Sequence, residues 1–123
     1  MTIKINIMPF IGKKEIEQIK SELKERVKNY LIKNYKDPYG NPISTIERIG
    51  IGIEFDENES ERDRVIISEI RITATVWIKN ERHDTVSNSH LDKKNNIPLI
   101  LNYNEESTEY DMENFNEITF IDR

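Results

Sequence analysis

The sequence predicts an α+β domain: a single long N-terminal helix packed on one face of an antiparallel sheet of four to five strands, in the order β-α-β-β-β with an optional final β. Three observations predict it. Val65–Lys79 alternates apolar and polar residues over the longest clean stretch of the chain. Apolar residues from Ile16 to Leu31 recur at spacings of three and four instead. Turn-forming clusters of proline, glycine, asparagine and aspartate punctuate the apolar runs. The two periods are those of a half-buried strand and an amphipathic helix.

Ile3, Ile5 and Ile7 alternate with Lys4 and Asn6, which predicts a first strand over 2–8, stopped at Met8-Pro9 because proline cannot donate to a ladder. From Lys13 the period changes. Ile16, Ile19, Leu23, Val27, Tyr30, Leu31 and Asn34 share one helical face, and Glu22 stands four residues before Arg26, the favourable order for an ion pair. The helix should end near Tyr35, since residues before Pro38 are pushed out of the α region and Pro38-Tyr39-Gly40-Asn41-Pro42 is turn chemistry.

Ile49, Ile51, Ile53 and Phe55 predict the second strand, with Gly50 and Gly52 leaving its other face almost bare; such glycines weaken a strand unless something packs closely against them. Residues 56–63 form a solvated hairpin loop. In the strand 65–79, Ile66, Ile70, Ile72, Ala74, Val76 and Ile78 fall on one side, and Glu69, Arg71, Thr73, Thr75 and Trp77 on the other. At about 3.3 Å per residue the run spans about 50 Å, too long for an unbroken strand, and Val65 and Ile67 sit on the wrong side of the alternation. A bulge around Ser68-Glu69 accounts for both. Asn80 to Asn96 holds no sustained period and reads as a long polar connection. Ile97, Leu99, Leu101 and Tyr103 predict another strand, with Pro98 marking its start or an edge. Asn104 to Asn116 reads as an acidic connection, and Ile118 to Ile121 as a short last strand. The order resembles cystatin-like wrapping, a likeness of topology alone.

The 123 residues fit one domain, 1–123, able to bury about two-thirds of the unfolded surface without staples. The absence of cysteine excludes thiolate chemistry and Cys-based zinc sites. With 18 basic and 23 acidic residues the net charge is −5, which disfavours generic binding to nucleic acid or anionic membrane. The N-terminus lacks a signal-peptide layout and no apolar run reaches membrane-span length, so the expected location is the cytoplasm or a virion.

Chemistry-bearing patterns are sparse. His83, Asp84, His90 and Asp92 are the one set from which a metal site could be assembled, at a spacing that matches no strong template. Ser87 and Ser89 lie near the histidines in sequence, outside any nucleophile elbow. Gly50-Ile51-Gly52 completes no phosphate-binding motif, and no cofactor is implied. Charge distribution carries more content. Residues 1–50 hold ten basic and six acidic side chains, whereas 104–123 hold one basic and seven acidic. That bipolarity suits head-to-tail association of identical subunits. The acidic set Glu105, Glu106, Glu109, Asp111 and Glu113 also suits docking to a basic partner. Trp77, beside Arg71 on a strand face opposite the isoleucines, has the composition of an interface hot spot, although cover by the protein's own chain is the commoner fate of such a residue. The expected role is that of a non-enzymatic structural or assembly protein, a small subunit of a larger particle, with a phage neck, tail or baseplate component the most concrete version. The alternatives are an acidic inhibitor or immunity-type protein facing a basic nuclease or nucleic-acid-binding protein, and, last, a metal-dependent enzyme using His83 and His90.

Overall fold

A single helix, α1, occupies Lys13–Asn34. In the computed structural model, which describes residues 11–123, it is followed by six strands: β1 (Ile43–Phe55), β2 (Arg64–Asn80), β3 (Thr85–Asn95), β4 (Leu99–Asn104), β5 (Glu109–Met112) and β6 (Phe120–Asp122), with a 3₁₀ turn at Phe115–Glu117 before β6. The strand expected at 2–8 lies outside the described residues. No described helix is long and apolar enough to cross a membrane.

The helix begins where Glu15 reaches back to accept a hydrogen bond from the Gly12 amide at 3.1 Å, satisfying one of the donors left over at a helix start. It ends as Tyr35 turns extended, still donating its amide to the Leu31 carbonyl at 2.9 Å. The turn that follows is built on Asp37, whose carboxylate accepts from the amides of Tyr39 (2.9 Å) and Asn41 (2.8 Å), with Gly40 supplying a positive φ of 85°. Desolvation alone would raise the Asp37 carboxyl, but the hydrogen bonds from Asn41, Tyr39 and Gly40 outweigh it and hold the group below its ordinary 3.8.

All six strands join one sheet, and every pairing is antiparallel. β2 is its spine. One edge of β2 pairs with β1 over Ile67–Ile78; the other pairs with β4 over Arg64–Ile67 and with β3 over Arg71–Asn80. β5 continues the sheet beyond β4, and β6 beyond β3. The expected break is present: Glu54 faces Glu69 while Phe55 faces Ile67, so Ser68 is the extra residue, and its hydroxyl donates to the Glu54 carbonyl at 3.2 Å. The bulge lets Val65 and Ile67 share a buried face with Ile70, Ile72, Ala74, Val76 and Ile78. Ile19, Leu23, Val27 and Leu31 of α1 lie against that face, and Tyr110, Met112, Phe115, Ile118 and Phe120 close the core. Of the expected helix stripe, Ile16 and Tyr30 are only partly buried and Asn34 is exposed.

The polar connection expected over 80–96 is instead largely strand β3, eleven residues paired with β2. Its alternation is hidden because the inward positions are Ser87, Ser89, Leu91, Lys93 and Asn95, of which only Leu91 is apolar. Lys93 can face inward because its aliphatic stem is covered while its ammonium reaches Asp122 at 2.8 Å and lies 5.9 Å from the Tyr35 ring centre. The acidic stretch 104–116 likewise contains a strand, β5, whose Tyr110 and Met112 face inward between exposed acids. β1 begins six residues before the expected Ile49. Ile43, Ile46 and Ile49 are three apart, a spacing no flat strand can place on one face; register shifts at Ser44 and Glu47 absorb it.

The open sheet face as candidate functional site

Because α1 packs on one side of the sheet, side chains that alternate away from it form an uncovered face. Register gathers Gly50 and Gly52 of β1, Arg71, Thr73, Thr75 and Trp77 of β2, and Asn88, His90 and Asp92 of β3. Arg71 holds Asp92 through two hydrogen bonds, Nη2 to Oδ2 at 3.0 Å and Nε to Oδ1 at 3.4 Å. Thr75 and His90 face each other directly, with Oγ1 and Nδ1 3.1 Å apart, and the imidazole tautomer sets which of the two donates. Gly50 forms the floor on the β1 side of this pair. A Cβ there would stand 3.0 Å from Thr73 Oγ1, which shows how closely Thr73 packs over the bare backbone. Arg48, Thr73, Thr75, His90 and Asp92 surround a shallow depression above this floor.

Trp77 is partly buried, and its Nε1–H donates to Glu47 Oε2 at 3.0 Å. Glu47 is the extra residue of the second β1 bulge, freed from the ladder and aimed at the indole. Nothing in the alternation of β1 marks it; the three-residue spacing of Ile43, Ile46 and Ile49 is the signal that locates the bulge.

No protein-family model, no curated protein and no solved structure matches this chain.

The other sequence candidates fall elsewhere. His83 and Asp84 occupy the β2–β3 turn, where Asp84 takes a φ of 49°, and His90 lies roughly 17 Å farther along β3 at strand rise. With Asp92 engaged by Arg71, the four-residue metal set is not assembled, and no described cluster of three or more His, Asp or Glu is placed to hold a metal ion. Ser87 and Ser89 stand opposite Ile78 and Val76 on the helix side of the sheet, whereas His90 stands on the open side, so strand alternation separates nucleophile from base. Glu105 and Glu106 sit in the β4–β5 turn, and Glu109, Asp111 and Glu113 are exposed along β5. The acids therefore form a second surface, away from Trp77. A groove there is lined by Glu15, Glu22 and Glu25 of α1 together with Glu109 and Tyr110. Burial, and after it the charge of Tyr103, raises the Tyr110 phenol above its ordinary 10.0; the hydroxyl donates to the Arg62 carbonyl at 2.9 Å.

Proposed function

We propose that this protein is a non-enzymatic assembly subunit, a small component of a larger multi-subunit particle, which docks on a protein partner through its open sheet face. The observation that carries the reading is the one-sidedness of the fold: among the described residues no helix covers the face on which Trp77 and Arg71 lie. An indole whose polar edge is already satisfied by Glu47 offers its ring as rigid apolar area, and Trp and Arg dominate interface energetics. The small side chains of Thr73 and Thr75 and the glycine floor leave room for a partner's side chain. A virion component of neck, tail or baseplate, found in the cytoplasm or in the particle, is the most concrete version. The test is native mass determination of the protein isolated with its partners, alongside Trp77→Ala and Arg71→Ala. Each substitution is expected to weaken the complex by about thirtyfold, the size of an interface hot spot. A wild-type chain that travels alone and retains no partner ends the reading.

A second reading draws on the acidic groove, where Glu109 joins Glu15, Glu22 and Glu25. Such a surface suits an inhibitor or immunity-type protein occupying a basic nuclease or nucleic-acid-binding site, with binding that weakens steeply in salt. Charge reversal of Glu105, Glu106, Glu109, Asp111 and Glu113 without loss of binding to a basic partner removes it.

A further inference from the structure

Among the described residues, β1 pairs with β2 and with no other strand, so one of its edges is open. An open edge presents unpaired N–H and C=O groups that another chain can continue, and proteins usually blunt it with charge, proline or bulges. The first half of β1 is blunted: Pro42 precedes it, Ser44 and Glu47 are bulged, and Glu47 and Arg48 are charged. The second half is not. Ile49-Gly50-Ile51-Gly52-Ile53 runs opposite Ala74 to Ile70 with no register shift, no charge and no proline, and its isoleucines are only partly covered. Across the sheet, β5 pairs among the described residues with β4 alone and forms a margin on the side away from β1, bordered by Glu109, Asp111 and Glu113.

Charge decides which margins can meet. A groove along β1 is lined by Lys24 and Lys28 of α1 and by Arg48, with Glu47 the one carboxylate among them, whereas the groove along β5 is lined by Glu15, Glu22, Glu25 and Glu109. Two β1 margins brought together oppose cations, and two β5 margins oppose carboxylates. Of the pairings between these two margins, β1 against β5 is the one that sets opposite net charge face to face, and like-charge contact is what suppresses wrong pairings.

We infer that a second copy of this chain docks its β5 margin on the Ile49–Ile53 edge of β1, so that the sheet continues head to tail from one copy to the next. The contact is heterologous: every copy keeps one margin of each kind, and the assembly closes as a ring or grows as a filament. The inference rests on reading the chain as an assembly subunit; its surface is the outer edge of β1, which shares Arg48, Gly50 and Gly52 with the open face but does not include Trp77 or Arg71.

Sedimentation velocity on the full chain, at low and high salt, tests it. Wild type is expected to self-associate at low salt and to dissociate as salt rises. Lys24→Glu/Lys28→Glu/Arg48→Glu reverses one margin, and Glu109→Lys/Asp111→Lys/Glu113→Lys the other. Each triple variant alone is expected to lose self-association by about a hundredfold, and an equal mixture of the two to regain it with both chains in equal proportion. Gly52→Lys places a guard charge in the middle of the open edge, where a Cβ has ordinary room at 3.9 Å from Arg71 Cβ, and is expected to dissociate the wild-type assembly by itself. Circular dichroism verifies that each variant is folded; Gly52→Lys carries the test should a triple variant unfold. A β5 variant that still associates like wild type overturns the heterologous contact, and a wild type that stays monomeric at low salt overturns self-association. Neither result bears on Trp77, whose role is judged separately by partner binding of Trp77→Ala.

Discussion

Asn95 Oδ1 accepts the Ile70 amide at 2.8 Å, at the one place where the spine strand changes partners. Between the stretch of β2 held by β4 and the stretch held by β3, the side chain of Asn95 takes over from a neighbouring strand. Its Nδ2 donates to the Ile97 carbonyl at 2.7 Å and to the Ser68 carbonyl at 3.3 Å, beside the bulge. Asn95 is 7% exposed, the only buried polar residue described. Asn95→Leu leaves the Ile70 amide and the two carbonyls without partners, and is expected to destabilise the fold by about 2–4 kcal/mol. Urea unfolding reads this as a lower midpoint at unchanged slope. A loss under about 0.5 kcal/mol would show that water serves the junction equally well.

Trp77 is the chain's one tryptophan, so fluorescence excited selectively at tryptophan reports on the open face. Glu47→Ala removes the carboxylate that holds the indole N–H, and emission is expected to shift to the red as water takes its place. Because both partners are accessible to solvent, stability should change by less than about 1 kcal/mol. Unchanged emission and quenching in Glu47→Ala would show that the indole is set by packing instead.

Where alternation was unbroken, the chain was legible. The β2 face from Ile70 to Ile78 with its Ser68 bulge and the helix stripe through Ile19, Leu23, Val27 and Leu31 follow from periodicity, because burial is what periodicity encodes, and the turn after Tyr35 follows from Pro38 and Gly40. Ile66, expected on the isoleucine side, lies across the bulge on the other, where Val65 and Ile67 take the buried places. β3 was not legible, since its inward positions carry serines and a lysine whose ammonium finds Asp122 only after folding. β5 was masked by the acids flanking Tyr110 and Met112. The open face was half legible: Trp77 and Arg71 announced it, whereas Glu47 and the Thr75–His90 pair depend on register, which no single strand's pattern contains.

At the carboxyl end, Lys93 pulls the Asp122 carboxyl below its ordinary 3.8, by hydrogen bond first and by charge second. A carboxyl depressed on folding contributes stability above its unfolded value and loses that contribution as pH falls through the folded one. The pinning of β6 on β3 is therefore expected to hold at neutral pH and to weaken below 3.8. NMR titration should place Asp122 below that value in the wild type and return it to the ordinary range in Lys93→Met. An identical Asp122 titration in the two proteins would deny Lys93 this role.

Support along β3 is uneven. β2 pairs with Thr85–Lys94, but β6 backs only Lys93–Asn95, and every residue from Thr85 to Asn88 is exposed. Local opening free energy follows buried contacts, so β3 should open from its hairpin end. Native-state hydrogen exchange is expected to show protection rising from Thr85 towards Asn95, the last residues approaching the stability of the β2 core. His90 lies in the middle of this gradient, paired with Thr75. A partner seated on the open face would clamp the strand there, so binding should raise protection most between Val86 and His90 and least at Asn95, which is already fixed. Uniform protection along β3 in the free protein, or a binding effect confined to β5, would place the contact elsewhere.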